Sequence, residues 1–286
     1  MKANKKIGLL YIAPAMIILL FFLVIPLFYT VYCSLFNLDY LVKGEFVGLD
    51  NYIKVLTNKE VIESFISTVC ISLIATAISM LCGLVLALWI DRKTGLFAYL
   101  IEMFGLIPWL ISMVVAGLLW RWLLDGDLGL FNYVINLLGF DSIYVIQNRT
   151  SAIIALIFVL GWRTIGYAMI LILAGLKGID GNLIEAAKVD GASAWRTLIS
   201  VKLPLIKTPM LLSTIVLTVS NFTNNTVPKV LTSGGPGTAT SVITLQQYNM
   251  SFRYYQFGLS SALSVLIMLV TIMIIILYIR ISNYKI

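Results

Sequence analysis

Six long apolar stretches constrain this chain of 286 residues more than any other feature of its sequence. A helix needs about 20 apolar residues to cross the hydrocarbon core of a bilayer. The stretches that reach or approach this length are residues 8–36, 65–90, 98–123, 151–176, 209–222 and 259–282. The sequence therefore predicts an all-α integral membrane protein, with six transmembrane helices in a single domain over residues 1–286.

The composition agrees with a membrane location. Hydrophobic residues make up 60% of the chain and charged residues 12%, whereas a soluble domain is about 25% charged. The chain has no histidine, the commonest general base and a common metal ligand, so we expect neither catalysis nor a metal site. The apolar run after MKANKK exceeds the roughly 7–15 residues of a signal-peptide core, which favours an uncleaved first span.

The distribution of lysine and arginine predicts the orientation of the spans, because cytoplasmic loops are enriched in both residues. Twelve of them lie in the N-terminal tail, residues 91–97, residues 177–207 and the C-terminal tail, against six in the opposite loops. We therefore expect both termini, together with the loop at 177–207, on the cytoplasmic side of the membrane.

The loop at 177–207 contains EAAKVDGASAWRTLISVKLPL, a polar passage with a regular pattern of small and charged residues. Asn182 followed by Glu185 forms a capping-box pattern, which predicts a short helix over residues 183–189. The Asp-Gly pair that follows predicts a break in the helix, in which Gly191 takes a left-handed conformation.

A second short helix is predicted over residues 194–201, with Ser193 as its cap and Pro204 as its end. The first helix and its turn combine little side-chain bulk with two carboxylates. Their candidate contact residues are Glu185, Ala186, Ala187, Asp190, Gly191 and Ala192. Small side chains permit a close approach by another protein, so we interpret this segment as a docking surface. An ordinary solvated loop is the alternative.

The stretch EAAKVDGASAWRTLISVKLPLIKTP resembles the EAA loop of ABC importer permeases, with the same spacing of EAA, DGA and LP. FVGLDNY, LAGLKGID, LTSGGP and FGLSSALS are similar to the sugar-type branch, the relatives of the maltose and glycerol-3-phosphate permeases. The resemblance covers the chain from about residue 8 to residue 282. It implies the type I importer permease fold, with the EAA segment as a cytoplasmic coupling helix, in a bacterial cell (inner) membrane.

The same resemblance implies an assembly for the import of a sugar, and among sugars an oligosaccharide. The partners would be a second homologous permease subunit, two ATPase subunits and an extracytoplasmic solute-binding protein. ATP and magnesium would be bound by the ATPase subunits, with no cofactor on this chain. Glu185 would face an ATPase, and Gly191 would form the turn that aims the helix. Gly234, Gly235 and Pro236 would lie in an outer loop that faces the binding protein.

The source of energy separates an importer subunit from a self-sufficient secondary carrier, which is the alternative function. The chain lacks a GxxxxGK[ST] stretch, so ATP would have to be bound by a partner. A gradient-driven carrier usually keeps a carboxylate near the membrane midplane. Among the thirteen acidic residues only Glu102 falls within a predicted span, near its cytoplasmic end, which favours the ATP-coupled importer.

One charge lies deep in a predicted span. Arg163 is twelve residues beyond Ser151, which places it about 18 Å into the helix at about 1.5 Å per residue. A charge there costs at least about 2.5–3.5 kcal/mol, so we expect Arg163 to face a cavity or a partner. If Arg163 lines the solute pathway, it favours a hydroxyl-rich solute or a phosphorylated or anionic sugar. A structural hydrogen bond, to carbonyl groups or to a second permease subunit, is the alternative role.

A second polar cluster contains Asn221, Asn224 and Asn225. Each amide both donates and accepts hydrogen bonds, which suits a hydroxyl-rich ligand, so these residues are candidates for the solute pathway. A polar cap where the chain leaves the membrane is the alternative. Members of the resembled family more often carry aromatic or aliphatic residues here, so the resemblance assigns these asparagines no role.

Overall fold

A computed structural model describes residues 5–40 and 42–281. The helices are α1 (Lys5–Leu19), α2 (Ile25–Ser34), α3 (Asp50–Thr57), α4 (Lys59–Asp91), α5 (Leu96–Leu110), α6 (Met113–Leu123), α7 (Leu130–Leu137), α8 (Arg149–Lys177), α9 (Gly181–Val189), α10 (Ala194–Thr197), α11 (Leu203–Leu205), α12 (Lys207–Phe222), α13 (Thr226–Leu231), α14 (Ile243–Phe252) and α15 (Phe257–Ile281). π-helical turns at Leu20–Val24 and Leu198–Lys202 join α1 to α2 and α10 to α11. Two short strands, β1 (Phe36–Asp39) and β2 (Val42–Phe46), form an antiparallel hairpin.

Four helical segments are long and apolar enough to cross a membrane without a sharp bend: Tyr11–Ser34, Lys59–Asp91, Arg149–Lys177 and Phe257–Ile281. Two further candidates are pairs of helices with a bend, of 96° between α5 and α6 and 67° between Ala194–Leu205 and α12. Counting each bent pair as one span gives six in the described chain, which confirms the predicted class of fold. Residue 282, at the end of the sixth predicted span, and the terminal Lys2 and Lys285 lie outside the described residues.

The bend in the third span was not expected, because residues 98–123 form one apolar stretch. Ile111 and Ser112, between α5 and α6, have ψ angles of 136° and 142°, far from the helical value of about −42°. Two consecutive residues with extended ψ angles redirect the chain. Hydropathy carries no information about backbone direction, so the sequence pattern located the apolar helices and missed the bend.

Contacts within the chain divide it into two units, residues 5–62 with 246–270, and residues 63–245 with 271–281. This division does not test the prediction of a single domain over residues 1–286, which stays a prediction. In the first unit the buried amide of Asn51 donates hydrogen bonds to the carbonyl oxygens of Ser34 and Phe36, each at 2.9 Å. These bonds hold the end of α2 and the start of the hairpin together.

Helix α8 forms the core of the second unit. One cluster of buried side chains surrounds Leu156 and Leu160, and a second surrounds Met169 and Ile172. Polar groups also join α8 to α4, because the hydroxyl of Ser79 donates to the carbonyl oxygen of Gly161 at 3.0 Å. Because α8 is packed on several sides in this way, it positions the neighbouring helices of the second unit.

The closest approach between α5 and α8 occurs at two glycines. A Cβ atom added to Gly166 would lie 2.4 Å from the carbonyl oxygen of Gly105, a distance that real Cβ atoms do not show. Small residues at such crossings let helix backbones approach closely in membranes. The pair therefore fixes the spacing of α5 and α8.

We expect Gly166→Ala to lower the free energy of unfolding by about 1–3 kcal/mol, because the added methyl group overpacks this crossing. Reversible unfolding in mixed detergent micelles, followed by tryptophan fluorescence, measures the change. Gly181→Ala is the control, since no atom lies within 4 Å of a Cβ added there. Its stability should stay within about 0.5 kcal/mol of the original. An equal loss in both variants would contradict the role of the crossing.

Candidate functional site

The segment at 177–207 begins with a helix whose cap differs from the prediction. The side chain of Asp180 accepts a hydrogen bond from the backbone N–H of Asn182 at 3.0 Å, and α9 begins at Gly181. The predicted capping box of Asn182 and Glu185 is therefore wrong, because Asp180 occupies the cap position two residues earlier. Asp and Asn cap helices about equally well, so the local sequence does not rank them. Glu185 is left exposed.

The turn after α9 is confirmed as a left-handed glycine turn, with φ of +75° at Gly191. The backbone N–H of Ala192 donates to the carbonyl oxygen of Ala187 at 2.9 Å, and that of Gly191 donates to Lys188 at 3.0 Å. This pair of hydrogen bonds is the Schellman motif, which satisfies carbonyl groups at the end of a helix. The turn is therefore fixed by its own backbone.

The second helix is capped as predicted but ends later. The hydroxyl of Ser193 accepts a hydrogen bond from the backbone N–H of Arg196 at 3.3 Å. The prediction that Pro204 ends the helix is wrong, because the helical run continues through the π-helical turn to Leu205. Pro204 lies in the first turn of α11, where a missing N–H group is tolerated. The chain bends at Ile206 instead.

The exposed side of α9 forms a continuous stripe, which we call the coupling ridge: Asn182, Glu185, Ala186 and Val189. These positions are three or four residues apart and share one face of the helix. All four are exposed, Val189 by 88%, and α9 buries no residue. The sequence analysis missed Val189, although its position four residues after Glu185 would have indicated it.

The other predicted contact residues of this segment divide into two groups. Asp190 and Gly191 are exposed, whereas Ala187 and Ala192 are half-buried. Ala187 and Ala192 are joined by the Schellman hydrogen bond, so they build the turn rather than present a surface. The exposed part of the site therefore consists of the ridge together with Asp190 and Gly191.

A cavity of about 270 Å³ lies behind the ridge, between α9, the segment after it and the end of α4. Its apolar lining includes Ile184 of α9 and Leu88 of α4. Its charged lining consists of Arg92, Lys188 and Lys202. The Nζ atom of Lys202 lies 2.5 Å from a carboxylate oxygen of Asp91, the last residue of α4.

Arg163 lies on α8 and is half-buried. Among the described residues, its Nε atom is buried and has no hydrogen-bond partner. The preceding residue, Trp162, packs edge-on against Trp120, with ring centroids 5.4 Å apart. The alternative of a structural hydrogen bond through Nε is therefore not seen in the described residues. The role of Arg163 in a solute pathway stays a prediction.

The three asparagines near the end of α12 have different surroundings. The side-chain amide of Asn221 is buried and donates to the hydroxyl of Thr76 at 3.1 Å. The side chain of Asn224 accepts from the backbone N–H of Val227 at 3.0 Å, in the first turn of α13. Asn225 is half-buried at the start of the same helix. Asn221 and Asn224 thus have structural partners, and a pathway role for the three stays a prediction.

The loop after α13 closes on itself through hydrogen bonds. The backbone N–H of Thr240 donates to the carbonyl oxygen of Gly234 at 3.2 Å, and the hydroxyl of Thr240 donates to that of Gly235 at 2.8 Å. Gly234 is buried, and Gly235 and Pro236 are half-buried. The exposed residues of the loop are Ser233, Gly237 and Thr238, on either side of the predicted contact residues.

The turn that follows α6 contains a carboxyl group whose pKa is lowered by hydrogen bonds. The carboxylate of Asp125 accepts hydrogen bonds from the backbone N–H groups of Leu128 at 2.9 Å and Asp127 at 3.1 Å. These bonds, that from Leu128 foremost, hold the pKa of the Asp125 carboxyl below its ordinary value. The turn is therefore stabilised by the ionised carboxylate, and that stabilisation is lost as the pH falls through the lowered pKa.

The helical spans, with an exposed helix and turn between α8 and α12, define the fold of a type I ABC importer permease. A solved bacterial alginate ABC transporter, in complex with an alginate pentasaccharide-bound periplasmic protein, contains a chain with this fold. The TM-score is 0.85 at 20% identity, over 99% of this chain and 98% of that chain.

The chain belongs to the family described as binding-protein-dependent transport system inner membrane component, which matches residues 79–284. A relative at 30% identity is the trehalose/maltose transport system permease protein MalF of Thermococcus litoralis, matched over 99% of this chain and 95% of its own length. The sulfoquinovosyl glycerol transport system permease protein SmoG of Agrobacterium fabrum is 31% identical, over 99% of this chain and 92% of its own length. The resemblance to ABC importer permeases is thereby confirmed.

Gly191→Ala should loosen the turn after α9, because a side chain in the left-handed conformation costs about 1–2 kcal/mol. We expect the amide of Ala192 to exchange with solvent about tenfold faster, since about 1.4 kcal/mol corresponds to one factor of ten. Hydrogen exchange followed by mass spectrometry measures the rate. Nothing lies within 4 Å of an added Cβ at Gly191, so the effect is one of backbone conformation alone.

Gly191→Asn and Gly181→Ala are the matched variants for this test. Asparagine tolerates the left-handed conformation, so its exchange rate should lie between those of glycine and alanine. Gly181→Ala, at the first position of the same helix, should slow exchange slightly because alanine is the better helix former. Equal rates in Gly191→Ala and the original chain would refute the assigned role of the turn.

Proposed function

We propose that this chain is a membrane-spanning subunit of an ATP-driven importer, and that α9 is its coupling helix. The observation that supports this most directly is the coupling ridge. α9 is fixed at its start by Asp180 and at its end by the Gly191 turn, yet it buries none of its residues. Val189, an apolar residue, is 88% exposed. A rigid helix with a bare apolar and acidic face is suited to a groove in another protein.

The partner on the ridge would be a cytoplasmic ATPase subunit. The chain carries no phosphate-binding loop of the GxxxxGK[ST] type, so ATP and magnesium would be held by two such subunits. The excess of lysine and arginine in the terminal tails and in residues 177–207 supports a cytoplasmic location for the ridge and both termini. A second homologous permease subunit and an extracytoplasmic binding protein would complete the assembly.

The mechanism would be alternating access. ATP binding closes the ATPase subunits, the coupling helices of the two permeases move with them, and the cavity between the permeases opens to the outside. The binding protein then delivers its solute, and the loop that contains Gly234, Gly235 and Pro236 faces it. Hydrolysis resets the assembly. This chain would form and move part of the solute pathway and would catalyse no reaction itself.

The proposed solute is a sugar, and among sugars an oligosaccharide. The relative from Thermococcus litoralis is named for trehalose and maltose, and the structural neighbour was solved with an alginate pentasaccharide on its periplasmic protein. Amide groups such as those of Asn221, Asn224 and Asn225 suit hydroxyl-rich solutes. A phosphorylated or anionic sugar is the second candidate, favoured by the unpartnered Nε of Arg163 in the described part of the chain.

Glu185→Lys and Val189→Asp should each lower recovery of the ATPase at least about tenfold, because they place repulsive or polar groups in the docked face. The tagged chain is purified from gently solubilised native membranes, co-purifying proteins are identified by mass, and sugar uptake is measured in parallel. The amount of chain in the membrane should not change, since α9 buries no residue.

Asp141→Lys is the matched control for Glu185→Lys, because it reverses an exposed carboxylate outside the coupling segment. It should leave both ATPase recovery and uptake unchanged. If the original chain is recovered alone in several mild detergents, the proposed coupling helix is wrong. Uptake by the purified chain alone, in proteoliposomes without ATP, would establish the secondary carrier instead.

Arg163→Gln tests the class of solute. For a neutral oligosaccharide we expect uptake to stay within a few-fold of the original, and chain yield to rise because an unpartnered charge is removed from the span. An anionic sugar bound by the guanidinium would lose about 1.5–3 kcal/mol of binding, more than about tenfold in affinity. Arg163→Lys, which keeps the charge, would then retain part of that affinity. Such a selective loss in Arg163→Gln would favour the anionic solute.

A further inference from the structure

The coupling helix has few contacts with the rest of the second unit. α9 packs mainly against α10 and the π-helical turn, which directly follow it in the chain. The cavity of about 270 Å³ separates its inner side, at Ile184, from the end of α4, at Leu88. A force applied to the ridge can therefore reach the spans by two routes, backwards through residues 178–180 into α8 and forwards through residues 194–206.

A polar contact connects the segment at residues 194–206 to α4. Lys202, the last residue of the π-helical turn, has its Nζ atom 2.5 Å from a carboxylate oxygen of Asp91. The two side chains are only 17% and 16% exposed, so water screens their attraction less than at an open surface. π-helical turns occur frequently at functional sites, and this one ends at the residue that makes the contact.

An apolar contact lies four residues after Lys202, at the bend itself. Ile206 is fully buried and belongs to the same core cluster as Ala87 and Ile90 of α4. It lies against Gly175 of α8, since a Cβ atom added to Gly175 would be 3.3 Å from the Ile206 side chain. Lys202 lies four residues before the bend, so its ion pair joins the segment before the bend to α4.

We infer that Asp91 and Lys202 are positioning residues that transmit the movement of the coupling helix to α4. This inference rests on the proposed function. The cavity gives α9 room to approach α4, while the ion pair keeps the segment after α9 attached to the end of that span. Loss of one partner leaves the other charge half-buried and unpaired, which is destabilising for the joint.

The test uses the whole assembly, reconstituted in proteoliposomes with the binding protein and the sugar that it binds. ATP hydrolysis and sugar uptake are measured together, so their ratio reports coupling. Asp91→Asn and Lys202→Gln should each lower the sugar taken up per ATP by about tenfold, the effect of about 1.4 kcal/mol at the joint. ATPase recovery should stay unchanged, because neither residue lies on the ridge.

Rescue separates transmission from a general effect on folding. Lys202→Arg keeps the charge and should retain most of the coupling ratio. The exchange Asp91→Lys with Lys202→Asp restores opposite charges, and in a double-mutant cycle it should recover most of the loss of the single variants. Arg92→Gln is the control, since it removes an exposed cation from the lining of the same cavity, and should leave the ratio unchanged.

Three outcomes would overturn the inference. The first is an unchanged coupling ratio in Asp91→Asn and Lys202→Gln. The second is an equal loss in Arg92→Gln, which would show a general effect of charge. The third is a folded exchange variant, with normal ATPase recovery, that restores nothing. If instead the original chain recovers no ATPase, the proposed function itself fails, and the inference fails with it.

Discussion

The constraint on which the rest of this structure depends is that lipid offers no hydrogen bonds to a backbone. The spans satisfy it as helices, and their hydroxyl groups donate back to carbonyl oxygens one turn earlier. Thr68 donates to Ser64 and Thr164 to Leu160 in this way. The interior therefore uses up most of its own polar groups. The exceptions among the described residues are a few buried atoms within helices, and the Nε atom of Arg163 is one of them.

Much of the fold could be predicted from the sequence, because helical spans, helix caps and glycine turns depend on residues that are close together in the chain. The apolar stretches locate all of the candidate spans, and Ser193 and Gly191 behave as their residue types require. The bend at Ile111 and Ser112 separates two helices with different main neighbours, α8 for α5 and α13 for α6. The hairpin of β1 and β2 is likewise supported from far along the chain, where Asp39 pairs with Gln256. No pattern within a short window contains such partners.

The candidate site shows the same division between local features, which could be predicted, and long-range contacts, which could not. The ridge could be predicted in outline, because helical spacing places Glu185 and Ala186 on one face. Its cap was misplaced by two residues, since Asp180 and Asn182 are equally good capping residues. The ion pair of Asp91 and Lys202 joins residues 111 positions apart, and two charges so distant in sequence give no sign that they meet. The exposed surface of the segment was accessible to sequence reasoning, whereas its attachment to the spans was not.

A coupling element must be stiff within itself and weakly held by its surroundings, and this segment meets both conditions by separate means. Its stiffness comes from backbone chemistry, in the Asp180 cap and the hydrogen bonds around Gly191, which needs no support from the spans. Its weak attachment comes from the cavity behind α9 and the absence of buried residues on that helix. A helix buried more deeply would resist movement, and one without its cap and turn would bend under load. In the proposed function, the contacts after the turn, at Lys202 and Ile206, would be places where movement enters the membrane.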